Sequence, residues 1–203
     1  MKILTPINLL LIITFLACNS IPSTDTNQND SSIKDTNNSV NAENSERILS
    51  ADKASVGMTI NELKKAYPNA KFVEEPVSLY GVDGEGKGLV VVNNNERLLF
   101  VWTLEGDDKI RGITILSPSI VIDSNVAVGM PLQEFHKKYP DIKLTISLID
   151  EDIEYCYVKG KEYLIEFLTQ PDNRVGEYEM EGVEAESIRI LRPDAKIDRI
   201  SLY

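Results

Sequence analysis

Val56-Gly57-Met58-Thr59-Ile60-Asn61-Glu62-Leu63-Lys64-Lys65-Ala66-Tyr67-Pro68 aligns without a gap onto Val128-Gly129-Met130-Pro131-Leu132-Gln133-Glu134-Phe135-His136-Lys137-Lys138-Tyr139-Pro140, at an offset of 72 residues. Valine, glycine, methionine, glutamate, lysine, tyrosine and proline recur in register, and most mismatches keep their polarity. Self-similarity at a fixed offset reads as an internal repeat. Each copy also spells a short helix. Thr59 with Glu62 three residues on forms a capping box, and Pro131 suits a first helical turn. Ile60, Leu63 and Tyr67, matched by Leu132, Phe135 and Tyr139, fall on one face at spacings of three and four. Pro68 and Pro140 disfavour helical geometry at the preceding tyrosine, so the pattern predicts helices over 59–67 and 131–139. Gly57 and Gly129 supply a turn or a close backbone approach.

Strand-like runs follow each helix. In the first half these are Val77 to Val82, Leu89 to Val92, Arg97 to Leu104 and Lys109 to Leu116; in the second, Lys143 to Ile149, Ile153 to Val158, Tyr163 to Leu168, Ser187 to Leu191 and Lys196 to Tyr203. Gly-, Asn-, Asp- and Pro-rich joints separate them. The sequence therefore predicts an α+β fold of two tandem repeats, 46–122 and 123–203, each a short helix followed by an antiparallel β-meander, with the helices on one face of the sheet.

Ahead of this body the chain opens with Met1-Lys2 and a mostly apolar run from Ile3 to Ala17, the pattern of a secretory signal over 1–17. Phe15-Leu16-Ala17-Cys18 resembles a lipobox. Such a signal implies that Cys18 becomes the new N-terminus and carries acyl chains, which together hold a protein stably on a membrane. From Asn19 to about Ser45 the chain is Asn, Ser, Thr and Asp with scattered others and has no aromatic residue, so 18–45 reads as a lipidated cysteine and a disordered tether spanning roughly 30 Å. Asn19 rather than Asp after the anchor points to the outer membrane, facing the periplasm. Removing Lys2 with the signal leaves 20 basic against 32 acidic side chains, a surface that repels nucleic acid. With Cys18 acylated, Cys156 is left without a cysteine partner.

The helix-then-meander pattern after a Gly-Met-Thr-like turn resembles the BamE/SmpA outer-membrane assembly lipoproteins and the β-lactamase-inhibitor-like fold. Ile110 to Phe135, the Tyr155-Cys156 segment, Tyr163 to Phe167 and the closing strand Ile197 to Leu202 are similar to a family of uncharacterised two-repeat envelope lipoproteins, the YfeY-like proteins. That resemblance implies a fold and a location in the cell envelope. It implies no activity and no catalytic residue.

The residues themselves offer little chemistry. His136 is the only histidine and stands where Lys64 stands in the first copy, on an expected helix flank, which leaves no His-rich metal centre. Cys156 lies in an apolar strand without a histidine nearby in sequence and reads as a structural thiol. Asp83-Gly84-Glu85-Gly86 and Asp150-Glu151-Asp152-Ile153-Glu154 offer oxygen ligands but lack calcium-loop spacing. No phosphate loop or nucleophile elbow occurs. The expectation is thus a non-enzymatic envelope lipoprotein with no cofactor and no metal, binding another envelope protein through a sheet face or edge. The alternative is a small-ligand or calcium-binding lipoprotein. Leu98 to Leu104 is apolar on both alternating faces, whereas a sheet with one wet face alternates. Phe100 and Trp102 are therefore the candidate binding-face residues, unless both faces of that strand are covered.

Overall fold

The computed structural model describes residues 49–179 and 185–203. Among these the chain forms, in order, β1 (Ser50–Ala51), β2 (Ala54–Ser55), α1 (Ile60–Ala66), β3 (Lys71–Pro76), β4 (Lys87–Asn93), β5 (Glu96–Thr103), β6 (Ile110–Ile115), β7 (Val121–Ile122), β8 (Val126–Ala127), α2 (Leu132–Lys138), β9 (Thr145–Ile146), β10 (Ile153–Tyr157), β11 (Tyr163–Leu168), β12 (Gly176–Tyr178), β13 (Ser187–Ile190) and β14 (Arg199–Leu202). Eight of these strands make one antiparallel sheet in the order β3-β4-β5-β6-β14-β11-β10-β9, and β1-β2, β7-β8 and β12-β13 pair off as small ribbons. The expected signal peptide over 1–17, the expected lipidation site Cys18 and the expected tether over 19–45 lie outside the described residues.

This architecture corrects the expected two-repeat α+β fold. The described chain is mostly β, its two α-helices are seven residues each, and 45–203 is one unit with one main sheet rather than two helix-plus-meander repeats. The physical reason lies in the centre of the sheet. Two separate meanders would leave β6 and β14 as open edges with unpaired backbone groups. Instead β14 pairs with β11 on one side and with β6 on the other, Ile200 opposite Ile115 and Leu202 opposite Ile113. Two expected strands also move. Val77–Tyr80 is a 3-10 turn ended by Gly81 at φ +68°, and β13 joins β12 outside the main sheet.

What the two aligned segments share is local. Gly57 and Gly129 both sit at φ +85°. Gly57 N–H donates to Ile110 O at 2.8 Å and Ile110 N–H to Met58 O at 2.8 Å; Gly129 N–H donates to Ile197 O at 2.7 Å and Ile197 N–H to Met130 O at 3.0 Å. Each turn thus clips its helix onto a later stretch of chain, the first onto β6 at Ile110 and the second onto the segment just ahead of β14 at Ile197. Thr59 and Glu62 form the capping box, satisfying two orphan amides at the start of α1. Pro131 is the extended residue before α2 and makes no side-chain cap.

Alternation along the strands gives the sheet two buried faces. On the first, Val91, Leu99, Val101, Ile113, Ile115, Ile165 and Ile200 pack with Leu63 of α1 and Leu132 and Phe135 of α2 in one large cluster. Truncating any such residue costs about 2–5 kcal/mol. On the second, Val77, Tyr80, Val90 and Phe100 form a smaller cluster. The segment after β3 crosses this face and lays Tyr80 flat on Phe100, ring centroids 3.7 Å apart and 6° from parallel. A polar clamp fixes it there. Tyr80 Oη donates to Glu75 at 2.5 Å, and Arg97 grips the same carboxylate through both terminal nitrogens at 2.8 and 2.9 Å. Chiefly through Arg97, the Glu75 carboxyl is held below the usual carboxylate range.

Candidate functional site: an aromatic cleft on the second sheet face

The strand register explains why the second face is hollow beside the Tyr80 cover. Its two middle strands present short residues: Gly112 and Thr114 on β6, Ser201 on β14. The flanking strands present tall ones, with Phe100 opposite Thr114, Trp102 opposite Gly112, Leu164 opposite Ser201, and Tyr155 and Tyr157 beyond on β10. Bulky side chains around short ones leave a cleft, and its volume is about 430 Å³.

Tyr80, Trp102, Tyr155, Tyr157 and Tyr203 supply its aromatic walls. The rings meet at corners. Tyr155 and Tyr157 stand edge to face with centroids 5.5 Å apart, and Trp102 and Tyr203 are tilted 54° at 6.4 Å. The loop between β9 and β10 supplies an apolar rim, Leu148 and Ile149, which are 65% and 57% exposed; Tyr157 is 64% exposed. Trp102 lies across the bare backbone of Gly112, where a Cβ would stand 2.4 Å from its Nε1. That N–H is buried and has no acceptor, a state that costs about 1–3 kcal/mol.

The floor is polar. Glu166, 3% exposed, accepts from Ser201 Oγ at 2.5 Å, and its other oxygen lies 2.6 Å from Nη2 of the equally buried Arg199, off the hydrogen-bond axis. Burial pushes the Glu166 carboxyl above its ordinary range while Arg199 pulls it back. Arg199 is otherwise committed, since its Nη1 donates to Leu79 O at 2.6 Å.

The structure places the residues singled out from sequence as follows. Phe100 is fully buried beneath Tyr80 and is a core residue, which corrects its reading as a binding face. Trp102, one strand position pair further on, is half-buried and walls the cleft. His136 is half-buried on α2. Cys156 is 1% exposed on the first face, where burial pushes its thiol up to about 12, so it is unreactive at neutral pH. Asp83 is exposed at the cleft mouth. Asp150 and Asp152 turn the chain before β10, while Glu154 faces inward and accepts from Val175 N–H, Gly176 N–H and Tyr178 Oη at 2.6–2.8 Å. Those bonds tie down the 175–178 segment. Among the described residues no three His, Cys, Asp or Glu side chains converge as metal ligands, and no helix is long and apolar enough to cross a membrane.

Sequence reasoning missed Tyr80, Tyr155, Tyr157, Glu166 and Tyr203. One signal was present: Tyr155 and Tyr157 alternate with buried Cys156, so both tyrosines occupy the face opposite the main core.

No family model matches the chain, and no curated protein matches it. Among solved structures the chain is similar to the uncharacterized protein YfeY from Escherichia coli, at 13% identity and a TM-score of 0.47, over 75% of this chain and 94% of that one. YfeY is the protein whose family the sequence resembles; neither a two-repeat division nor a likeness to the BamE/SmpA proteins is supported by the match.

Proposed function

We propose that this protein is a non-catalytic envelope lipoprotein, anchored through Cys18 on the periplasmic side of the outer membrane, whose body captures another envelope protein through the aromatic cleft. The observation carrying this reading is the cleft's apolar rim: Leu148, Ile149, Tyr157 and Tyr203 are all 48% or more exposed around one opening. Clustered exposed apolar side chains mark interaction sites. The face is a better candidate than the sheet edges. β3, at one edge, carries Lys71, Glu74, Glu75 and Pro76, which block strand addition, and β9 at the other is two residues long. A second reading, a small-molecule binder, is favoured by the cleft volume, which falls within the roughly 300–1,000 Å³ range of small-ligand pockets.

Site-specific photocrosslinking in intact cells tests the proposal. A photoreactive residue at Leu148 should give one discrete protein adduct, and the same residue at Val73 on β3 should give none. Adducts from Val73 alone would move the interface to the sheet edge. A protein that crosslinks from neither position but co-purifies with a small molecule supports the second reading. For the anchor, Cys18→Ala should abolish incorporation of labelled palmitate.

A further inference from the structure

We propose that the cleft is a receptor for an organic cation on an apolar stem, supplied as a lysine side chain of the partner protein. This rests on the docking reading above and names what the docked partner inserts. Five aromatic side chains line the cleft; Tyr80 is already stacked on Phe100 and lies under the Arg199 guanidinium, 5.7 Å from its ring centroid, so the ring faces that serve a ligand cation are those of Trp102, Tyr157 and Tyr203, and an aromatic face is the negative side of a quadrupole. Its two charged lining residues are both carboxylates, Asp83 at the mouth and Glu166 on the floor, and no Lys, Arg or His lines it. Arg199, behind the floor, pairs with Glu166, so these two charges offset each other and Asp83 at the mouth is the lining carboxylate that faces a cation. The chain as a whole carries net charge −11, which steers a basic partner toward it.

The aliphatic lining fixes the shape of the cation. Val82, Leu148, Ile149 and Leu164 offer methyl and methylene surface suited to a four-carbon stem, while the corner made by Trp102 with Tyr203 and the exposed ring of Tyr157 give an ammonium head more than one ring face. A bare metal ion would find too few oxygen ligands there, and an anion would meet Asp83 and no lining cation. A wholly neutral alkyl group would fit the walls but leave Asp83 and the ring faces unused.

Trp102, the only tryptophan, reports occupancy by its own emission. The probes are a pentapeptide, acetyl-Ala-Leu-Lys-Leu-Ala-amide, its counterpart with norleucine for lysine, and choline with its neutral carbon isostere 3,3-dimethyl-1-butanol. An apolar pocket prefers norleucine; a cation receptor prefers lysine, here by about tenfold. Tyr157→Leu removes an exposed ring without opening the core, and should abolish that preference while leaving the melting temperature unchanged. Equal or tighter binding of the norleucine peptide, or silence from every probe, overturns the proposal. Binding of choline over its isostere without binding of the lysine peptide overturns the partner side chain as the source. A Leu148 adduct in cells combined with norleucine preference leaves docking standing and removes the cation alone.

Discussion

Gly112→Ala is the most direct test of the cleft's construction. Nothing about the backbone forbids alanine, because Gly112 lies in a central strand, beside the register shift between β5 and β6, and its φ is outside the left-handed region. By itself the added methyl would stabilise the protein by about 0.4–1 kcal/mol through the unfolded chain. The folded state opposes this. The new Cβ would stand 2.4 Å from Trp102 Nε1, 2.9 Å from Cε2 and 3.0 Å from Tyr203 Cδ1, where ordinary contact begins near 3.4 Å. The indole must therefore lift by about 1 Å, and overpacking of this kind costs about 1–3 kcal/mol. The net effect is a loss of up to about 2.6 kcal/mol, which lowers Tm by up to about 10 °C in a domain of this size. Melting by far-UV circular dichroism measures the loss. Tryptophan emission, from the only indole in the chain, should shift to the red as the ring leaves the sheet. A variant that melts higher than the parent with unchanged emission would show that Trp102 does not rest on Gly112, and the account of the cleft floor would fall with it.

Three other outcomes follow from buried charge and thiol. Arg199→Met leaves Glu166 buried without its cation and should cost about 3–5 kcal/mol near neutrality. Because Glu166 is already raised by burial, losing Arg199 raises it further; the folded state then favours the protonated acid, so the deficit should be small near pH 4 and grow as pH rises, and a deficit independent of pH in urea titrations contradicts the pairing. Asp123 behaves with the opposite sign. Lys161 Nζ at 2.8 Å, and the Tyr139 and Tyr163 hydroxyls, hold its carboxyl well below the usual range, so its contribution is complete above about pH 4 and disappears at lower pH; Asp123→Asn should lower Tm at pH 7 and flatten the loss of stability on acidification. Cys156 should resist a thiol reagent in the native protein and react on unfolding in urea, and rapid native labelling would contradict its burial.

The parts of the fold legible in the sequence were those written within a dozen residues. Thr59 and Glu62 announce the start of α1, and Leu63 and Phe135 announce the buried face of each helix, because capping and helical spacing are local. The two-sided apolarity of β5 was legible as well, and so was the choice it posed between coverage and docking. Its resolution was not, since Phe100 is covered by Tyr80, which arrives through a turn the sequence disguises as a strand. The cleft was least legible. Trp102, Tyr155 and Tyr203 come from three separate stretches of chain, and only the insertion of β14 between β6 and β11 brings them around one hollow. The expected pair of repeats failed for the same reason: the alignment captured two equivalent clips, while the joint between the halves is set by backbone pairing that leaves no mark in composition.

That inserted strand has a kinetic consequence. Thr114 and Ser201, bonded at 3.1 Å across the β6–β14 joint, are 87 residues apart in the chain. A large loop must therefore close before the sheet is continuous, and contacts of such long range make folding slow. During that interval β6 and β11 each expose a full hydrogen-bonding edge of apolar residues, the matching template for β14 of any neighbouring molecule. Refolding yield should then fall as protein concentration rises, with exchanged dimers as the side product, because the same strand that welds one molecule together can weld two.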